Sequence, residues 1–222
     1  GMTETSPLGT IFGLQPGMED YTDEQITDLQ AMQGRGVFGI EMRIVDEDNN
    51  ELPWDGVAFG ALKVRGPWVV SGYYGMSQIP GEEGCPVDEM GWFETGDVAT
   101  INPLGYMQIT DRTKDVIKSG GEWVSSIDIE NAAVSHPGIA EAAAIGRYHP
   151  KWTERPLLIA VRKGDKQTTS AEVLAFLTDK LHKWSMPDDV VFVDELPHTA
   201  TGKLNKLALR KTFEDYQFPV AS

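Results

Sequence analysis

Residues 198–213, "HTATGKLNKLALRKTF", place a Gly-Lys pair, Gly202-Lys203, at the entrance of a helix-like run. Lys203 and Lys206 lie at its start, and Glu214 and Asp215 follow its end. A helix macrodipole favours anions at the N-terminus and cations at the C-terminus, so this arrangement opposes helix stability and leaves Lys203 in want of an anionic partner. Three other stretches carry groups suited to anion or nucleotide chemistry. In "FETGDVAT" (93–100) a turn at Thr95-Gly96-Asp97 precedes a strand. An acid at such a loop tip can accept two ribose hydroxyls, although Gly-Asp turns are often only structural. In "GMTETSP" (1–7), Thr3 and Thr5 are candidate phosphate contacts. Glu4 is a candidate Mg²⁺ ligand, because that ion commonly combines one carboxylate with substrate phosphates; the same polar stretch also reads as a disordered terminus. "TDRTKDVIKSGGEWVSS" (110–126) sets Asp111, Arg112, Lys114, Asp115 and Lys118 ahead of Gly120-Gly121, which by itself reads as a charged linker with a glycine turn.

Two formal motifs fail on context. Gly34, Gly36 and Gly39 spell G-x-G-x-x-G, but the dinucleotide fingerprint follows a strand and opens a helix, whereas these residues follow a helical pattern and open a strand. Gly202-Lys203 is no P-loop, since Pro197 stands where the first glycine is needed and Leu204 replaces the Ser or Thr. His136, His149, His182 and His198 have no metal-ligand spacing. Cys85 is a lone loop cysteine, so no internal disulfide framework exists.

These residues must be held by elements of two kinds. Residues 23–33 predict a short helix that Gly34 caps. β-rich runs separated by Asn49-Asn50 and Asp55-Gly56 predict antiparallel strands, a Gly- and Pro-rich loop covers about 71–92, and a hairpin turns at Asn102–Gly105. From residue 113 the order changes to a strand, a helix over "SIDIENAAVSH", two strands, a helix over 170–184, a strand, and a last helix from about Leu204. The expected fold class is therefore α+β: residues 1–111 β-rich and barrel-like, residues 112–222 a smaller α+β domain. The 222 residues are 41% hydrophobic and 24% charged, a globular composition. With 19 basic against 34 acidic residues the net charge is −15, which argues against a nucleic-acid partner and makes any basic site a local patch. No apolar run is long enough for a membrane span, and a reducing cytoplasmic setting is expected.

Six stretches occur in order: "GMTETSP", "KVRGPWVVSGYY", "GWFETGD", "DRTKDVIKSGGEWVSSIDIE", "HPKWTERP" and "PHTATGKLNKLALR". Together they resemble the adenylate-forming superfamily, specifically AMP-dependent acyl-CoA synthetases acting on fatty or similar acids. The resemblance implies ATP/AMP, Mg²⁺ and coenzyme A as cofactors or substrates and a small carboxylic acid as partner. Lys203 then meets the charge that develops between acid and α-phosphate, with Glu4 as the Mg²⁺ carboxylate, Thr3 and Thr5 at the phosphates, and Asp97 with Arg112 at the ribose. Lys114 takes the hinge position of a mobile C-terminal lid, and Lys118, Gly120, Gly121, Glu122 and Trp123 line the coenzyme A path, where glycine lets backbone approach ligand. Thr153, where glycine is common, and Ser126-Ile127, where a proline often precedes the helix, depart from the pattern. The chain is expected to be the C-terminal portion of a synthetase, without the pyrophosphate loop and acyl pocket and so unable to adenylate alone. Self-association through the exposed side of the β-rich half is a further expectation. A carrier-protein-loading adenylation domain and a catalytically silent interaction module are the alternatives.

Overall fold

The structure, a computed structural model, describes residues 1–164, 167–200 and 202–219. The last residues of the expected second domain, 220–222, lie outside the described residues, as does Thr201 of the Gly-Lys stretch. The chain forms two compact units, Gly1–Thr113 and Lys114 onward.

The first unit contains β1 (Thr10–Ile11), α1 (Asp23–Gln30), β2 (Arg35–Gly36), β3 (Glu41–Val45), β4 (Phe59–Arg65), β5 (Phe93–Ile101) and β6 (Met107–Arg112). Helix α1 starts where predicted because Thr22 and Gln25 form a reciprocal capping box. Strands β3 to β6 pair in sequence order, all antiparallel, while β1 and β2 form a separate ribbon. The expected barrel-like closure is not what forms: among the described residues the four-stranded sheet is open. Its core joins Ile44, Leu62, Val64, Phe93, Ala99 and Ile101. Tyr106 packs with Met18 and Leu29 to fasten α1 and donates its hydroxyl to Gly13 O at 2.7 Å. The predicted strand over "NNELPWDG" reduces to a single bridge, Val45 to Glu51.

The second unit contains β7 (Ile117–Ser119), β8 (Glu122–Val124), α2 (Ser126–Val134), β9 (Ile139–His149), β10 (Thr153–Arg162), α3 (Ser170–Thr178), β11 (Asp189–Val193) and α4 (Lys206–Thr212). Strand β10 is central, antiparallel to β9 along its length and parallel to β11. Its first residue also pairs with β7, through Thr153 and Ser119. Near-continuous apolar runs such as Leu157–Ala160 are fully buried because both sheet faces are covered. One face packs with α2 and α3 through Ile129, Val173 and Leu177, the other with α4 through Leu209. Helix α3 ends at Thr178, well short of the expected residue 184, and a single 3-10 turn follows at Lys183–Ser185.

Candidate functional site

Asp97 does not sit at a loop tip ahead of a strand, as the sequence suggests. It lies within β5, opposite Arg112 of β6, next to a register shift at Val98/Ala99. Against β4 the register also shifts, so that Thr95, Gly96 and Asp97 stand opposite Leu62 alone; with Gly96 at φ +74° the Gly-Asp pair marks a bulge rather than a turn. The Arg112 Nε lies 2.9 Å from Asp97 Oδ1, yet its N–H is not aimed at that oxygen, which is left a buried acceptor without a hydrogen bond. The Asp97 side chain is 13% exposed and that of Arg112 57%, so the acid is sunk and the cation stands at the surface. Burial pushes the Asp97 carboxyl above its ordinary range, outweighing the downward pull of Arg112.

The Thr-Glu stretch is not disordered: Thr3–Thr5 form a 3-10 turn. Its Glu4 carbonyl accepts from Val70 N–H at 2.8 Å, and its carboxylate accepts from the Tyr73 hydroxyl at 3.1 Å. Burial and the Glu4 carboxylate both raise the Tyr73 pKa. Thr5 and Asp97 line one small cleft together with Gly9, Thr10 and Thr95. The Thr5 hydroxyl is committed inside its own turn, donating to Pro7 O at 2.7 Å and accepting from Met2 N–H at 3.2 Å, so it has no proton to spare for a phosphate. Thr3 is exposed. Among the described residues no three His, Cys, Asp or Glu side chains are grouped to hold a metal ion. Glu4 alone therefore fits only an ion that brings its other ligands with it, as Mg²⁺ does on nucleotide phosphates.

In the second unit Lys203 lies three residues before α4, not in its first turn. It caps a tight loop in which Thr199 N–H donates to Lys203 O at 2.7 Å and Lys203 N–H to Thr199 Oγ1 at 3.2 Å. Gly202 takes φ +80° to make that loop, and the Lys203 side chain is exposed. The adverse lysine at the helix start is instead Lys206, and its charge is matched by Glu130 Oε1 at 2.7 Å, with Ser126 Oγ at 2.6 Å. Asn205 caps the helix by accepting from Ala208 N–H at 3.1 Å, and Arg210 and Lys211 occupy the favourable last turn.

The sequence reading missed β8. Gly120 and Gly121, at φ +61° and +89°, form the two-residue turn of a β7–β8 hairpin, and Gly-Gly between strand-forming residues was the available signal. Lys118 and Trp123 face each other across it, with the ammonium 5.6 Å from the ring centroid. Glu122 is exposed on the other side of the turn. Lys114 is exposed at the first residue of the unit, and the neighbouring Asp115 is tied to Arg210 at 2.7 Å. The structure thus gathers Thr5 and Asp97 in one cleft and Lys118 to Trp123 on one hairpin, with Lys203 on its own loop.

Comparison with known proteins matches residues 1–74 to the AMP-binding enzyme family and residues 128–203 to the AMP-binding enzyme C-terminal domain. A 3-methylmercaptopropionyl-CoA ligase of Ruegeria lacuscaerulensis is 51% identical over 215 residues, 97% of this chain and 39% of that protein. A medium-chain-fatty-acid–CoA ligase of Ectopseudomonas oleovorans is 44% identical over 97% of this chain and 38% of its own length. The structure of ATP-bound MatB from Rhodopseudomonas palustris superposes with a TM-score of 0.75 at 33% identity, over 97% of this chain and 40% of that one. The chain thus spans about two-fifths of the length of the relatives it matches. With both of its units matched in this way, the chain belongs to the family of AMP-binding, adenylate-forming enzymes.

Proposed function

We propose that this chain serves an ATP-dependent acid–coenzyme A ligase, with its full reaction carried out by the intact protein. The observation that carries the reading is Asp97 Oδ1, a buried acceptor with no hydrogen bond beside the half-exposed Arg112. A buried carboxylate in that condition is costly unless donors arrive, and two ribose hydroxyls are suitable donors. In the first step the acid's carboxylate attacks the α-phosphorus of ATP, and the bond to pyrophosphate breaks. In the second the coenzyme A thiol attacks the acyl carbonyl, loses its proton, and AMP leaves.

Each group has one task in this reading. Asp97 accepts from the ribose and Arg112 balances its charge. Glu4 supplies one oxygen to a Mg²⁺ that comes with the nucleotide, and Thr3 offers its hydroxyl to the phosphates. Thr5 acts through the turn that its hydroxyl closes, not by touching the phosphates. Lys203 offers a cation on a short, glycine-shaped loop to the charge that builds during adenylation. The hairpin from Lys118 to Trp123 receives the pantetheine arm, and Lys114 acts as the hinge of residues 112–222. The names of the relatives point to a fatty or similar small carboxylic acid as substrate.

The test separates the two half-reactions in the full-length protein. Lys203→Ala should lower acid-dependent pyrophosphate exchange by about a hundredfold while leaving coenzyme A attack on supplied acyl-adenylate within a few-fold. Equal loss of both half-reactions would sink the role given to Lys203. Acyl transfer only to a tethered phosphopantetheine, with no use of free coenzyme A, would favour a carrier-loading enzyme instead.

A further inference from the structure

The stretch Trp152–Arg155 grips three consecutive residues of the β7–β8 hairpin. Glu154 Oε2 accepts from Lys118 N–H at 3.0 Å, Arg155 Nη1 donates to Ser119 Oγ at 3.1 Å, and Trp152 O accepts from Gly120 N–H at 2.7 Å. Gly120 lies so close to the indole rings of Trp152 and Trp184 that a Cβ would come within 2.8 and 3.1 Å of them. Around Gly121, by contrast, a Cβ would meet nothing within 4 Å. One glycine is the anchored half of the turn and the other its open half.

Arg155 is the buried centre of this seat. Its Nε and Nη2 donate to Asp188 Oδ1 at 2.9 and 2.7 Å, Nη2 also to Met186 O at 2.9 Å, and Nη1 to Trp184 O at 3.0 Å as well as to Ser119. One guanidinium therefore ties the hairpin to the backbone that carries Trp184, the ring on which Gly120 rests. A planar fork with donors at fixed angles can do this, whereas the point charge of lysine can satisfy Asp188 and little else.

We propose that Arg155 is a positioning residue that seats the glycine hairpin for the thioester-forming step. The proposal rests on the reading of that hairpin as the coenzyme A path, and it assigns Arg155 no part in adenylation. Seating fixes where the Gly121 backbone lies when the pantetheine arm comes past, and a displacement of about 1 Å is enough to cost a large factor in rate.

The experiment compares Ser119→Ala and Arg155→Lys with the parent in the full-length protein. Ser119→Ala removes only the bond from Arg155 to the hairpin, so it keeps the test decisive if the arginine variant folds poorly. In both variants hydrogen exchange at the Lys118 and Gly120 amides should quicken about tenfold, while amides in the middle of β9 and β10 keep their protection. The KM for coenzyme A should rise about tenfold, with acid-dependent pyrophosphate exchange within twofold of the parent. Unchanged exchange at Lys118 and Gly120 overturns the seat, and an equal loss of both half-reactions overturns its link to the thioester step. If the parent itself shows no coenzyme A-dependent step, the reading of the hairpin as a coenzyme A path fails, and the exchange data still decide whether Arg155 seats it.

Discussion

Arg155–Asp188 and Arg112–Asp97 are pairs of the same two residue types at similar separations, 2.7 and 2.9 Å, and they are built in opposite senses. In the first the guanidinium is the buried member, with a side chain 10% exposed, and every one of its nitrogens has a partner. In the second the carboxylate is buried and the guanidinium exposed, and the nearer carboxylate oxygen has no aligned donor. A pair whose hydrogen bonds are complete fixes structure, and one with acceptor capacity left over can bind. Salt bridges counted by distance alone would rank the two as equals.

The largest expected effect tests that difference directly. Arg155→Met leaves the Asp188 carboxylate and two backbone carbonyls without their donors and should cost about 3–5 kcal/mol in urea unfolding. Arg112→Met removes a surface cation and should cost less than about 1 kcal/mol. Similar losses in the two variants would erase the distinction between a structural pair and a binding pair.

Asp97→Asn sharpens the comparison from the other side. Removing the charge should weaken AMP binding about ten- to a hundredfold in titration calorimetry, because charge-assisted bonds to hydroxyls are among the stronger ones. The fold should be unharmed or firmer by up to about 1 kcal/mol, since a buried and incompletely bonded carboxylate has become a neutral amide. Loss of stability without loss of nucleotide would reverse the roles of the two pairs.

The pH dependence of the same residue has a definite sign. Because burial raises the Asp97 pKa, the folded protein holds this proton at pH values where the unfolded chain has released it. Its contribution to stability is present below the ordinary aspartate range and is lost as pH rises through the raised folded value. AMP affinity should do the opposite and fall as pH drops through that value, since the protonated acid accepts fewer hydroxyls. Asp97→Asn should flatten both slopes, and parallel slopes in parent and variant would show that another group is titrating.

How much of this was legible in the sequence follows from which interactions are local. The helix starts at Asp23 and Ser170, the strands β9 and β10 and the hairpin at Asn102–Gly105 rest on short-range patterns, and each appears where the sequence places it, the helix starts being fixed by capping boxes at Thr22 and Thr169. Ordered motifs were enough to point to the family. Asp97 was misread as a turn residue because a bulge and a turn use the same Gly-Asp signature, and only the strand partners distinguish them, β4 by its shifted register and β6 by pairing Arg112 with Asp97. Lys203 was read as a helix entrance because the isolated bridge that pairs His198 with Leu204 carries no helix or strand periodicity in the sequence. The Arg155 seat was invisible for a different reason. Its partners Ser119, Trp184, Met186 and Asp188 are brought together only by the sheet, and no spacing in the chain announces them.

The smallest expected effect concerns Thr153, which holds φ +67° next to the seat. A β-branched residue in the left-handed region costs about 1–2 kcal/mol, and glycine there is free of that strain. Thr153 is exposed, and its backbone pairs with both Ser119 and His149 at the head of β10. The strain is held because neighbours on both sides fix the same backbone. Thr153→Gly should therefore stabilise the protein, but only by the part of the strain not offset by the extra freedom of glycine in the unfolded chain, about 0.5–1 kcal/mol. The net gain should be below about 1 kcal/mol, seen as a rise in urea midpoint at unchanged slope. A loss of more than that would mean that the threonine side chain itself braces the hairpin, and the seat would then belong to Thr153 as much as to Arg155.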